Sequence, residues 1–209
     1  MIKNIIFDLG GVILNIDYGK TVEAFVRLGV SGIDRMFSQH FQPALFDDFE
    51  TGKISEKDFR DGIRKLAGIS LKDDDIDKAW NAMLLDLPAG RLKILQDVKR
   101  HYRVFLLSNT NAIHLQAFHR YLDEEGKKEV FNSVFEKKFY SHEIGFRKPS
   151  LEAFEYVIRT ANIIPQETLF IDDTLQHIQG GQQAGLQTFW LDRTQNMTLA
   201  DIFIDGRLK

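Results

Sequence analysis

The stretch IIFDLGGVIL, residues 5–14, joins a short apolar run to one carboxylate, Asp8, and then to two glycines. The run before Asp8 is short, β-branched and ended by a turn signal, which is typical of a buried strand. Three later segments share this form, and each follows a helical pattern: RVFLLSNT (103–110), ETLFIDDT (167–174) and LQTFWLD (186–192). Unbroken apolar strands that alternate with helices indicate a parallel sheet covered on both faces. We therefore predict an α/β fold with a three-layer, Rossmann-like core.

Residues 16–88 have a different pattern, without a strand-like apolar run. Charged residues and glycine turn signals separate a series of aromatic residues: Phe25, Phe37, Phe41, Phe46, Phe49, Phe59 and Trp80. We predict a helical insertion here, with most of these aromatics in its own core. Leu87-Pro88-Ala89-Gly90 is then the linker that returns to the sheet.

Composition restricts the class of protein. The chain has 209 residues, of which 44% are hydrophobic and 27% charged, and its net charge is −3. This balance predicts a globular protein without a nucleic-acid-binding surface. The chain has no apolar stretch near the roughly 20 residues of a membrane span, and its first apolar run is too short for a signal peptide. There are no cysteines, so disulfides are excluded, and we expect a cytoplasmic protein whose partner is a small molecule.

Polar residues follow three of the predicted strands, and a fourth polar segment precedes a helix. They are Asp8, Ser108-Asn109-Thr110, Asp172-Asp173, and Lys148 within GFRKP (145–149). Each has a structural explanation by itself, because Asp and Ser often begin helices and Lys is usually solvated. Ligands bind at the carboxyl ends of the strands in open parallel sheets, so we expect all four to converge at one site. Two adjacent acids also repel one another unless a cation compensates.

These residue types indicate metal-assisted phosphoryl chemistry. Carboxylates at a strand edge suit Mg²⁺, which prefers oxygen ligands. A hydroxyl, an amide and an ammonium group suit a phosphate. An aspartate beside both can attack phosphorus and form an aspartyl-phosphate.

In these four motifs the sequence resembles the haloacid dehalogenase-like hydrolase superfamily, most members of which are phosphatases. The resemblance implies that Asp8 is the nucleophile, that Ser108 and Asn109 bind phosphate, and that Lys148 is both catalytic and phosphate-binding. It also implies that Asp8, Asp172, Asp173 and the main-chain carbonyl of Gly10 bind Mg²⁺. The implied domains are a Rossmann-like catalytic core, residues 1–15 and 89–209, and a helical cap, residues 16–88. FDLGGV, FETGKISEKDF (49–59), LLSNTN and GFRKP resemble the bacterial glucose-1-phosphate phosphatase branch.

Gly10 is the main departure from the superfamily pattern, in which a second aspartate usually protonates the leaving oxygen. General acid–base help of this kind is typically worth about 10²–10⁴ in rate. A substitute acid could be Asp17, a cap residue such as His40, or ordered water, although Asp17 is better explained as a helix N-cap. We expect the histidines to be structural, with His177, just after the acidic pair, as the one that could support it.

The resulting prediction is a Mg²⁺-dependent phosphatase of small phosphorylated metabolites, most simply sugar phosphates such as glucose 1-phosphate. Two alternatives stay open. Carbon–halogen hydrolysis needs no protonated leaving group, which suits Gly10, but it needs no metal either, whereas the acidic pair is intact. A non-catalytic metabolite-binding protein would have no need of Asp8 as a nucleophile.

Overall fold

A five-stranded parallel sheet forms the centre of the protein in the computed structural model, which describes residues 1–30 and 44–209. The strands are β1 (Asn4–Phe7), β2 (Arg103–Ser108), β3 (Lys137–Tyr140), β4 (Thr168–Asp172) and β5 (Gln187–Trp190). Their order is β3-β2-β1-β4-β5, so β1 lies in the middle between β2 and β4. Phe7 pairs with Leu106 on one side and with Ile171 on the other. The residues that follow these three strands therefore emerge side by side.

Helices cover both faces of the sheet. In residues 1–30 and 44–102, the helices before β2 are α1 (Tyr18–Arg27), α2 (Ala44–Glu50), α3 (Glu56–Ala67), α4 (Asp73–Asn81) and α5 (Ala89–Val98), of which α5 leads directly into the strand. The others are α6 (Ala112–Glu124), α7 (Lys128–Val134), α8 (Ser141–Ile144), α9 (Leu151–Ala161), α10 (Leu175–Gln183) and α11 (Leu199–Ile202). Alternate residues of β1 point to opposite faces, since Ile5 and Phe7 belong to one apolar cluster and Ile6 to the other. The predicted three-layer α/β fold is confirmed.

The sequence patterns missed one sheet strand and a small hairpin. β3 is only four residues long, KKFY, and its first residue, Lys137, is exposed. Such a strand at the sheet edge lacks the apolar run that marks the others. The chain ends in a hairpin of β6 (Phe203–Ile204) and β7 (Arg207–Leu208), two strands of two residues each, which are too short to show a period.

The described part of the insertion is helical, as predicted, and has an aromatic core. Phe46, Phe49, Phe59 and Trp80 are at most 2% exposed. Phe49 and Phe59 stack with their ring centroids 4.3 Å apart, and Phe46 and Trp80 with theirs 5.3 Å apart. Among the residues named above, Phe37, Phe41 and His40 lie outside the described residues. The domain boundaries after residues 15 and 88 stay a prediction.

The insertion contacts the rest of the protein through Trp80 and through the ion pairs of Asp47 and Glu50 with Arg147. The indole of Trp80 stacks on the imidazole of His114 in α6, with centroids 4.7 Å apart. Asp17 is the N-cap of α1, where its carboxylate accepts a hydrogen bond from the Gly19 N–H at 2.9 Å. The structural explanation of Asp17 is thus the right one. In the part of the chain that the structure describes, no helix is both long and apolar enough to cross a bilayer.

Candidate active site

The sheet edge brings together the carboxylates that the sequence singled out. Asp8 follows β1, and its N–H donates to the Ile171 carbonyl of β4 at 2.9 Å, which continues the strand pairing by one residue. Asp172 ends β4, and Asp173 follows it. One oxygen from each carboxylate lies within 4.8 Å of the others. The three side chains are therefore close enough to share one cation.

Lys148 lies at the centre of this carboxylate cluster. Its side chain is completely buried, and its Nζ lies 2.6 Å from Asp8 Oδ1 and 2.6 Å from Asp172 Oδ2. Burial tends to lower the pKa of a lysine, but Asp172 and Asp8 more than offset this, so the pKa of Lys148 lies above its ordinary value. The ammonium group therefore stays charged and pairs with both of these carboxyl groups.

Asn109 fixes the segment that carries Lys148. Its Nδ2 donates to the Lys148 carbonyl at 2.8 Å, and its Oδ1 accepts from the Lys148 N–H at 2.9 Å. The amide is thus bonded to the main chain on both sides, and it joins the end of β2 to the lysine. Ser108 lines the site, and its hydroxyl makes only a 3.5 Å contact with the Asn109 carbonyl. The phosphate-binding roles of Ser108 and Asn109 stay predictions.

The turn after Asp8 requires glycine at position 11. Gly11 has a φ of +83°, and a Cβ added there would overlap Asp173 Oδ2. At Gly10 a Cβ would instead approach Ile16 Cδ1, at 3.0 Å. Gly10 borders the same cavity as Asp8 and Asp173, as its predicted role requires, but the carbonyl's role as a metal ligand stays a prediction.

The charges of the site favour the binding of a divalent cation. Burial raises the pKa of Asp8 to about 8, with Lys148 acting in the opposite direction, and burial and Asp172 raise that of Asp173 to about 6. Burial also acts to raise the pKa of Asp172, but Lys148 and His177 outweigh it and lower this pKa to about 2. Arg193 Nη1 is 3.5 Å from Asp173 Oδ2. Excess buried negative charge among oxygen donors is the environment that Mg²⁺ stabilises, so the residues present fit that ion.

A cavity of about 70 Å³ lies in front of the carboxylates. Groups that were not predicted as site residues also line it, namely Tyr18 and Glu50 from the insertion and His114 from α6. Glu50 lies within FETGKISEKDF (49–59), but neither that stretch nor the helical patterns around Tyr18 and His114 indicates that these side chains reach the site.

His177 has a partner in the acidic pair. Its Nδ1 lies 3.0 Å from Asp172 Oδ1, and it lines the cavity. Asp172 Oδ1 also accepts a hydrogen bond from the Thr174 N–H at 2.8 Å. This contact agrees with the supporting role that the position of His177 after the acidic pair suggested.

The fold and the site define a hydrolase class, and comparison with known proteins gives the family. Residues 2–185 match the family model of haloacid dehalogenase-like hydrolases. The chain is 36% identical to a D-ribitol-5-phosphate phosphatase from Bacteroides thetaiotaomicron over 190 residues, which cover 90% of this chain and 91% of that protein. The chain therefore belongs to the haloacid dehalogenase-like hydrolase family.

Solved structures agree with this assignment. A variant of a haloacid dehalogenase family enzyme from Bacteroides thetaiotaomicron, in complex with magnesium and inorganic phosphate, is 36% identical and superposes with a TM-score of 0.84, covering 90% of this chain and 93% of that one. A predicted hydrolase of this type from Porphyromonas gingivalis is 31% identical, with a TM-score of 0.85 and 96% coverage of both chains.

These findings confirm the predicted family, its fold and the prediction of an enzyme of the phosphatase type. The prediction of Mg²⁺ as cofactor agrees with the magnesium complex of the relative and with the carboxylate cluster. The glucose-1-phosphate branch and the roles of individual site residues stay predictions.

Proposed function

We propose that this enzyme is a Mg²⁺-dependent phosphatase of small phosphorylated sugars and polyols that works through an aspartyl-phosphate on Asp8. The observation that carries the proposal is the buried cluster of Asp8, Asp172 and Asp173 around Lys148, which faces a small cavity. The name of the Bacteroides relative, a ribitol-5-phosphate phosphatase, supports the substrate class. Glucose 1-phosphate belongs to the same class and stays a candidate.

Different side chains have different roles in the first step, the attack of Asp8 on phosphorus. Lys148 holds Asp8 through Oδ1, so Oδ2 is the oxygen that attacks phosphorus. In this proposal Lys148, Ser108 and Asn109 bind the oxygens of the phosphoryl group. Asp8, Asp172, Asp173 and the Gly10 carbonyl would hold Mg²⁺, which when bound neutralises charge on the phosphoryl group. Water then attacks the phosphorus of the aspartyl-phosphate, which releases phosphate and restores the Asp8 carboxylate.

The insertion, residues 16–88, acts in this proposal as a cap that excludes bulk water and selects the substrate. In this proposal the cap moves for substrate entry and product release, and the contact between Trp80 and His114 loosens with it.

The test is phosphate release with Mg²⁺ from ribitol 5-phosphate, glucose 1-phosphate, other sugar phosphates, nucleotides and an aryl phosphate. Wild type is compared with Asp8→Asn, which keeps the shape of the side chain and removes the nucleophile. Release by wild type alone, lost on EDTA treatment and restored by Mg²⁺, is the expected result. Equal release by both proteins would refute the role of Asp8.

The alternatives give different results in the same assay. Halide release from a haloacid that persists in EDTA would identify a dehalogenase. Ligand binding without turnover by either protein would identify a metabolite-binding protein. The carboxylate cluster argues against the dehalogenase, because a halide leaves without the help of a metal.

A further inference from the structure

We propose that Glu50, at the end of α2, is the general acid that protonates the leaving oxygen of the substrate. The inference rests on the proposed phosphatase function. Glu50 lines the same cavity as Asp8, Ser108 and Asp173, but it comes from the insertion and not from the sheet.

In-line attack restricts where the proton donor can lie. Nucleophile and leaving group lie roughly in line through phosphorus, so the ester oxygen points away from Asp8. Asp8 comes to the cavity from the sheet edge, whereas Tyr18 and Glu50 come to it from the insertion. Residues of the insertion are therefore the candidates for a proton donor to the ester oxygen.

The other side chains along the cavity that could act as the general acid already have hydrogen-bond partners or are too weakly acidic. Both ring nitrogens of His114 have partners, the Asn111 amide and the Trp80 carbonyl, and burial lowers the pKa of His114 to about 4. His177 is bonded to Asp172. Burial, with Glu50 and the other carboxylates, raises the pKa of Tyr18 far above its ordinary value, so the phenol is a poor acid.

The surroundings of Glu50 favour a protonated carboxyl group, which a general acid needs. Its side chain is 10% exposed, and Oε2 has no hydrogen-bond partner among residues 1–30 and 44–209. Arg147 Nη2 lies 3.1 Å from Oε2, but its N–H groups are not directed at that oxygen. Burial raises the pKa of Glu50, Arg147 and Lys148 act to lower it, and Asp47 acts to raise it. The net rise favours the protonated form that a general acid needs.

Glu50 acts in both halves of the reaction, first as an acid and then as a base. As Asp8 Oδ2 bonds to phosphorus, the bond from phosphorus to the ester oxygen breaks, and that oxygen takes the Glu50 carboxyl proton and leaves as the alcohol. Glu50, now a carboxylate, takes a proton from the water that attacks phosphorus. The bond from phosphorus to Asp8 breaks, phosphate is released, and Glu50 is protonated again. Because Glu50 belongs to the insertion, the donor is in place only when the insertion covers the site.

The test uses leaving groups that differ in their need for a proton. Glu50→Gln keeps the size of the side chain and cannot donate a carboxyl proton. With Mg²⁺, we expect its kcat/KM for an alkyl phosphate, such as ribitol 5-phosphate or glycerol phosphate, to fall about 10²–10⁴-fold. For an aryl phosphate, whose phenolate leaves without protonation, we expect a change of less than about tenfold. The parameter kcat/KM reports the steps up to cleavage of the ester bond, so later hydrolysis does not obscure the comparison.

Asp47→Asn is the matched control. Asp47 lies on the same helix and pairs with the same Arg147, but it does not line the cavity. We expect its ratio of alkyl to aryl kcat/KM to equal that of wild type. Loss of both activities in equal proportion in Glu50→Gln, or a change of the ratio in Asp47→Asn as well, would overturn the assignment and show that Glu50 only positions the insertion. Wild type that releases no phosphate from any ester would overturn the proposed function itself.

Discussion

Acid should weaken the protein through His114, the buried histidine at the contact between the insertion and the core. The neutral ring suits its site, because Nδ1 lies 3.1 Å from Asn111 Nδ2 and Nε2 lies 3.1 Å from the Trp80 carbonyl. The Asn111 orientation is fixed, since its Oδ1 already accepts the His114 N–H at 3.0 Å as the N-cap of α6. Nδ1 is therefore an acceptor, and a proton there would face an N–H donor.

The pKa of His114 gives the size and the sign of the effect. Burial lowers this pKa from 6.5 to about 4, so the unfolded chain takes up the proton at a higher pH than the folded one. The contribution of the neutral His114 to the unfolding free energy is then fully present above about pH 6.5, and it is lost as the pH falls toward 4. The pKa difference, at about 1.36 kcal/mol for each unit, corresponds to about 3 kcal/mol of unfolding free energy.

The assay is urea unfolding at a series of pH values from 7 to 4 with constant Mg²⁺. Wild type is compared with His114→Gln, whose side chain can accept and donate hydrogen bonds but does not titrate. Other titrating groups contribute equally to both proteins. From pH 7 to pH 4, the unfolding free energy of wild type should therefore fall by about 3 kcal/mol more than that of His114→Gln. His101→Gln, an exposed histidine, serves as the control and should follow wild type. Parallel curves for wild type and His114→Gln would refute the reasoning.

Three further perturbations test the site and its support. Gly11→Ala should weaken Mg²⁺ binding at least tenfold by calorimetry, because its Cβ would overlap Asp173, whereas Gly68→Ala, with a φ of +66° and open space around it, should bind Mg²⁺ like wild type. Lys148→Met should abolish phosphate release and lower the unfolding free energy by about 3–5 kcal/mol, because it removes the buried ammonium group that pairs with Asp8 and Asp172; an unchanged urea curve would contradict this. Thr21→Val removes a buried hydroxyl that donates at 2.9 Å and accepts at 3.2 Å within the insertion, so it should cost about 1–3 kcal/mol in the same measurement.

Magnesium itself is a separate test of the carboxylate cluster. A ligand that binds only the folded state stabilises it by about 2.7 kcal/mol at a hundred times its dissociation constant. Mg²⁺ should therefore raise the melting temperature of wild type, and the shift should be lost in Asp173→Asn. Equal shifts in both proteins would indicate binding elsewhere.

The sheet was predictable wherever a strand is buried on both faces. β1, β2 and β4 each have an unbroken apolar centre because helices cover both of their sides, and the polar residues at or after their ends share one edge by topology alone. β3 was not predicted because it is a four-residue edge strand that begins with Lys137 and Lys138, so it lacks an apolar run. It forms through its pairing with β2.

The site was predictable where residues follow strands and not where they belong to helices. Asp8, Lys148 and Asp172 meet as the motifs implied. Glu50 is one acid among many in a charged helical segment, and only the packing of α2 over the sheet edge brings it to the cavity. The use of the Asn109 amide on the Lys148 main chain is likewise a property of the folded loops.

The two tryptophans give the enzyme natural optical reporters at two different places. Trp80 is fully buried and stacks on His114, where the insertion meets the core. Trp190 is 40% exposed, and its indole N–H donates to the Asp173 carbonyl at 3.0 Å. Their emission should differ in wavelength because one ring is dry and the other is in contact with water. Movement of the insertion and filling of the metal site can therefore be followed separately by intrinsic fluorescence, without attaching any dye.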